Sequence, residues 1–103
     1  MPSSDVNFED IDRLIHEPSR LMIMAHLFVV ESADFLFLQR QIQMTPGNLS
    51  AHLSKLEDAG YVAVTKEFIE RKPHTALALT SKGRDAFKQY SRSIKKIANC
   101  LPE

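Results

Sequence analysis

Leu49, Leu53 and Leu56 fall at helical spacing inside a segment that opens on Thr45-Pro46 and stops at Gly60. The Thr45 hydroxyl can accept a hydrogen bond from an orphan amide of a first turn, and Pro46 has no amide needing a partner. Gly60 supplies the left-handed backbone that ends a helix. These signals predict a helix over residues 46–59, pinned along one apolar stripe. Gly47, Ala51, Ser54 and Asp58 then point most directly away from that stripe. Asn48 and Lys55 lie on one shoulder, Ser50 and Glu57 on the other. No bulky side chain stands near the leading end, and a helix built that way can enter the major groove of DNA.

The flanking segments give this helix its setting. Residues 8–15 read as a short first helix with Phe8, Ile11, Leu14 and Ile15 on one side, capped by Asn7. Pro18 breaks it and starts a second helix over residues 18–30, apolar over most of its surface and therefore expected at the centre. Asp34 can cap a third helix over residues 35–42. After Gly60 the period changes to two: residues 61–69 and 75–79 alternate as strands. The polar stretch Glu70-Arg71-Lys72-Pro73-His74 between them reads as a hairpin tip. Thr80 caps a last helix over residues 81–99, with Phe87, Tyr90, Ile94 and Ile97 as its stripe and Gly83 costing a little propensity. Two strands alone are marginal, so the hairpin must lie on the helices. The expected class is α+β: four N-terminal helices, a two-stranded hairpin and a long C-terminal helix.

With 103 residues, 44% hydrophobic and 25% charged, the chain suits one small globular domain over residues 1–103. No apolar run is long enough to span a bilayer, and Met1 to Asp10 lacks the features of an export signal. A cytoplasmic location without membrane partners is the expectation. Cys100 is the only cysteine, which excludes an internal disulfide; it is read either as buried against a second subunit or as an intermolecular bridge or redox switch. The formal net charge is zero, without the basic surplus of an indiscriminate nucleic-acid binder. The charges are unevenly spread, acids toward the N-terminus and bases from Lys82 onward.

Candidate groove contacts on residues 46–59 follow from chemistry. Gly47 and Ala51 allow close approach, with Thr45 and Pro46 at the leading end; Ser50 and Ser54 could bond to phosphates or base edges, and Asn48 could read an adenine edge or cap locally. Lys55 suits a phosphate. His52 lies between the buried and exposed faces, as a core-edge histidine or a phosphate contact. Lys66, Arg71, Lys72 and His74 form a second region that could straddle phosphates or enter a minor groove, although Glu67 and Glu70 dilute it. His16, His26, His52 and His74 share no metal-ligand spacing, and no phosphate loop or nucleophile motif occurs, so neither a metal, a cofactor nor enzyme chemistry is expected.

The combination resembles the small winged-helix transcriptional regulators of the MarR/ArsR-like superfamily, over roughly residues 11–90. The residues that carry the likeness are Leu14 to Met24, Phe35 to Leu38, Thr45 to Val62, Arg71 to Thr75 and Leu79 to Arg84. The resemblance implies a homodimeric repressor or activator, with residues 46–59 in the major groove and residues 70–74 as the wing. It also implies a dimer built by the terminal helices, here through Phe8, Ile11, Phe87, Tyr90, Ile94 and Ile97. Two reading helices would then lie about 34 Å apart on a palindromic site. The metal sensors' cysteine or histidine clusters are absent, and the chain is shorter than relatives with a ligand cleft, so a small-molecule effector is not expected. The competing reading is a winged helix whose exposed face binds another protein.

Overall fold

The computed structural model describes residues 11–101. Its elements run α1 (Pro18–Phe28), β1 (Ala33–Asp34), α2 (Phe35–Ile42), α3 (Pro46–Asp58), β2 (Val62–Ile69), β3 (Lys72–Leu79) and α4 (Ser81–Cys100). This is a winged helix-turn-helix: α2 and α3 form the two-helix unit, β2 and β3 the wing, and α4 the long C-terminal helix.

All four helices are capped by a side chain that the local sequence supplies. Glu17 accepts from the Arg20 amide at 2.8 Å. Asp34 accepts from Leu36 and Phe37, Thr45 from Asn48 at 3.2 Å, and Thr80 from Gly83 at 2.9 Å. Each satisfies first-turn amides that would otherwise lack a partner. Between α2 and α3, Gln43 takes a left-handed conformation (φ 53°) and its amide bonds back to the Gln39 carbonyl. That closes α2 abruptly enough for Thr45 to begin α3 two residues later.

Three expectations need correction. Over residues 11–17 there is no α-helix; Ile11, Leu14 and Ile15 are carried by turns. Asp12 holds that segment by accepting from the Leu14 and Ile15 amides, so Ile15 reaches full burial without helical backbone. Three helices, not four, therefore precede the wing among the described residues, and Phe8 lies outside them. Secondly, the hairpin tip is not residues 70–74 but a two-residue turn at Glu70-Arg71, both with positive φ (51° and 68°). That pair of angles is the type I′ signature, which fits the twist of the flanking strands. Lys72, Pro73 and His74 belong to β3, where Pro73 pairs with Phe68. Thirdly, the break at Ala33-Asp34 forms a short strand, giving a three-stranded antiparallel sheet in the order β1-β3-β2.

The core collects the buried side of every helix: Ile23, Met24 and Leu27 from α1, Leu38 from α2, Leu49, Leu53 and Leu56 from α3, Tyr90 from α4. The sheet contributes Val62, Leu77 and Leu79. α1 is central, as its composition required. Two longer-range devices fix α4. Arg84 donates to the Phe28 and Val30 carbonyls at 2.9 and 3.0 Å, closing the end of α1 while lying over the Phe28 ring. Gly83 sits against the backbone of Tyr61, where an added Cβ would stand 2.1 Å from the carbonyl oxygen. Thr80 completes this junction, its amide donating to the Tyr61 carbonyl and its hydroxyl to that of Gly60.

Candidate nucleic-acid interface

The leucine stripe determines what α3 can offer. Leu49 and Leu56 are fully buried and Leu53 nearly so, which leaves Gly47, Asn48, Ser50, Ala51, Ser54 and Lys55 exposed along the opposite side, with Thr45 and Pro46 exposed at its start. Nothing lies within 4 Å of a Cβ built on Gly47, so the fold has no need of a glycine there. The wing runs beside this helix. Ser50, Leu53, Ser54 and Glu57 of α3 and Val64, Lys66 and Thr75 of the wing, with Phe35, line an open cleft of about 300 Å³.

The remaining candidates divide. Arg71 and Lys72 are exposed at the wing tip. His74 is half-buried, its Nδ1 3.3 Å from Asp34. Burial works against the Asp34 charge, but the hydrogen bond from His74, the Phe37 and Leu36 amides and the His74 charge together hold its carboxyl below the ordinary value. His52 turns away from the bare side of α3: its Nδ1 lies 3.2 Å from an Arg20 guanidinium nitrogen and 3.8 Å from Glu17. An arginine can only donate, so Nδ1 accepts and the ring's proton sits on Nε2. Arg20 is itself anchored to the Leu14 carbonyl at 2.6 Å. The Glu17 carboxyl is held below its ordinary value: burial opposes this, but the Arg20 and Ser19 amides and the Arg20 charge outweigh it.

A model of the family described as "Winged helix DNA-binding domain" matches residues 19–98. The chain belongs to that family. This winged-helix domain is 35% identical to the Methanocaldococcus jannaschii protein MJ0432 over 84% of its own length and 94% of the relative's. It is 32% identical to the transcriptional regulator homologue of Pyrococcus horikoshii OT3, covering 89% of this chain and 91% of that one with a TM-score of 0.84. YusO of Bacillus subtilis shares the fold at 21% identity and a TM-score of 0.76, over 92% of this chain and 70% of that one. The resemblance drawn from residues 11–90 is thus borne out in fold and family.

Among the residues expected at a dimer contact, Tyr90 is committed within its own chain. It is 5% exposed, its hydroxyl lies 2.8 Å from His16 Nδ1, and burial pushes its pKa up. Phe87 packs on Phe28, with ring centroids 5.0 Å apart. Ile94 and Ile97 of α4, with Ile11, Arg13 and His16, line an apolar cleft of about 320 Å³ instead. Cys100 is exposed. Among the described residues no helix is long and apolar enough to cross a membrane, and no group of three His, Cys, Asp or Glu residues could hold a metal ion.

The sequence did not single out the far end of the wing, where Phe68 and Ile69 are exposed beside Arg71 and Lys72. An aromatic in a strand reads as core, and only the register reveals that it lies beyond the last buried pair.

Proposed function

We propose that the protein is a homodimeric, cytoplasmic transcriptional regulator that binds double-stranded DNA sequence-specifically. The observation that carries this reading is the uncluttered outer side of α3, exposed from Gly47 to Lys55 beside a projecting wing. In the complex, Gly47 and Ala51 bring the helix backbone close to base edges. Asn48, Ser50 and Ser54 supply hydrogen bonds, and Lys55 and Lys66 meet phosphates. Arg71 and Lys72 reach the adjacent backbone or minor groove. His52, fixed by Arg20, offers an Nε2 proton at the shoulder of α3. The single domain dimerises through Ile11, Ile94 and Ile97, which the fold leaves only partly covered.

Selection from random duplexes at low salt, followed by a footprint, tests the reading. Enrichment of an inverted repeat with half-sites one helical turn apart is expected. A folded dimer that enriches no motif would leave the protein-interaction reading. Exposed Leu36 and Phe37 on α2 and the zero net charge favour that alternative.

A further inference from the structure

The strand register sorts the wing's side chains onto two faces. Val62, Val64, Lys66 and Phe68, with their partners Leu79, Leu77, Thr75 and Pro73, share one face; Glu67, Ile69, Lys72 and His74 share the other. The first face begins in the core at Val62 and Leu77 and continues as the wall of the α3 cleft at Val64, Lys66 and Thr75. It ends on the cross-strand pair Phe68–Pro73. Phe68 is 78% exposed and lies about 13 Å beyond Val64 at strand rise. Lys66 is the only charged side chain at those eight positions; the carboxylates near it are Glu57 on the α3 side of the cleft, Glu67 on the opposite face and Glu70 in the turn. Arg71 and Lys72 follow within the same turn and strand start.

We propose that Phe68, backed by Pro73, is an apolar wedge that enters the minor groove of bound DNA and partly unstacks one base step, bending the duplex. The proposal rests on the DNA-binding reading above and adds to it a deformation of the ligand. An aromatic supported by a proline, on an arm whose Lys66, Arg71 and Lys72 outnumber Glu67 and Glu70, has the chemistry of a side chain that inserts between bases. A rigid two-residue turn delivers it without a mobile loop. Its sequence consequence is a preference for easily unstacked pyrimidine–purine steps where the wing lands, without any hydrogen bond to a base.

The test uses the full chain and the duplex that the wild type enriches, with a dye at each end and 2-aminopurine at the step under the wing. Phe68→Ser is expected to melt like the wild type, since the side chain packs on little. It should bind about tenfold more weakly, which is the scale of one lost aromatic–base contact. It should also lose the end-to-end shortening and the 2-aminopurine brightening, while its salt dependence keeps the wild-type slope because no charge is removed. Lys66→Gln should do the reverse, lowering the slope by about one and keeping the bend. Unchanged affinity and bend in Phe68→Ser would overturn the wedge. A wild type that binds its duplex straight and stacked overturns the wedge alone. A wild type that enriches no duplex overturns the DNA-binding reading and the wedge with it.

Discussion

Replacing Gly83 with alanine probes the junction between α3, the wing and α4. By helix propensity alone the change would stabilise α4 by up to about 1 kcal/mol. The structure reverses that sign. The new methyl would sit 2.1 Å from the Tyr61 oxygen and 2.9 Å from its carbonyl carbon, both backbone atoms that cannot rotate aside. Relief requires α4 to move off the Gly60-Tyr61 turn by more than 1 Å, a rough figure set by the van der Waals separation of carbon and oxygen. That displacement stretches the Thr80 amide bond to Tyr61, now 3.0 Å, and the Thr80 hydroxyl bond to Gly60, now 2.5 Å. Overpacking of this kind costs about 1–3 kcal/mol, and two weakened hydrogen bonds add about 1 kcal/mol each. After subtracting the propensity gain, Gly83→Ala should destabilise by about 2–4 kcal/mol, lowering Tm by roughly 10–30 °C for a domain of this size. Gly47→Ala is the control, since its Cβ meets nothing within 4 Å; it should raise stability by up to about 1 kcal/mol. Urea unfolding followed by circular dichroism at 222 nm measures both. Equal stability of the two variants would refute the close-approach reasoning.

Arg84→Ala should cost about 1.5–3 kcal/mol, because two carbonyls at the end of α1 lose a charged donor. Arg84→Lys should recover only part of it, which chemical denaturation of both variants will show. Substituting Arg71 and Lys72 together with alanine should weaken DNA binding uniformly across sequences and reduce the slope of log K against log salt by about two, measured by fluorescence anisotropy. The Tyr61 phenol, pushed up to about 12 by burial and by its hydrogen bond to the Asp12 carboxylate, favours the folded state while protonated. Its contribution is complete below the ordinary tyrosine value of 10 and is lost as pH rises from there toward 12. Absorbance at 295 nm should therefore show its ionisation late, and Tyr61→Phe should remove its share of the late change, leaving that of Tyr90, which burial also raises.

Local patterns in the sequence were enough for α1 to α4, because Pro18 starts α1 and Asp34, Thr45 and Thr80 cap the others within a few residues of their apolar positions: Thr45 with Leu49, Leu53 and Leu56 is the clearest case. The N-terminal segment misled because apolar spacing at Ile11, Leu14 and Ile15 also fits a turn held by Asp12. The wing tip was drawn too wide because Glu70-Arg71 contains neither Gly nor Asn, the usual residues for two positive φ angles, while Pro73 resembled a strand breaker. Its register explains the tolerance. Lys72 pairs with Ile69 across the two-residue turn, so Pro73 falls at a position whose nitrogen points away from β2. β1 has two residues and no period to detect. Gly83 looked like a propensity defect, since its reason is the distant Tyr61 carbonyl. At the site, α3's exposed residues followed from helical angles, whereas the orientation of His52 depended on Arg20, and that of Phe68 on strand pairing.

The Tyr61 carbonyl has a mechanical consequence. The Tyr61 amide closes α3 by donating to the Leu56 carbonyl, and its own carbonyl accepts from Thr80 at the start of α4 with no space for even one methyl group, so the two helices are joined as a stiff elbow. In a pair of subunits clasped through their long helices, any change in the clasp angle would swing both reading heads together, and their separation would be tuned by leverage instead of by local melting.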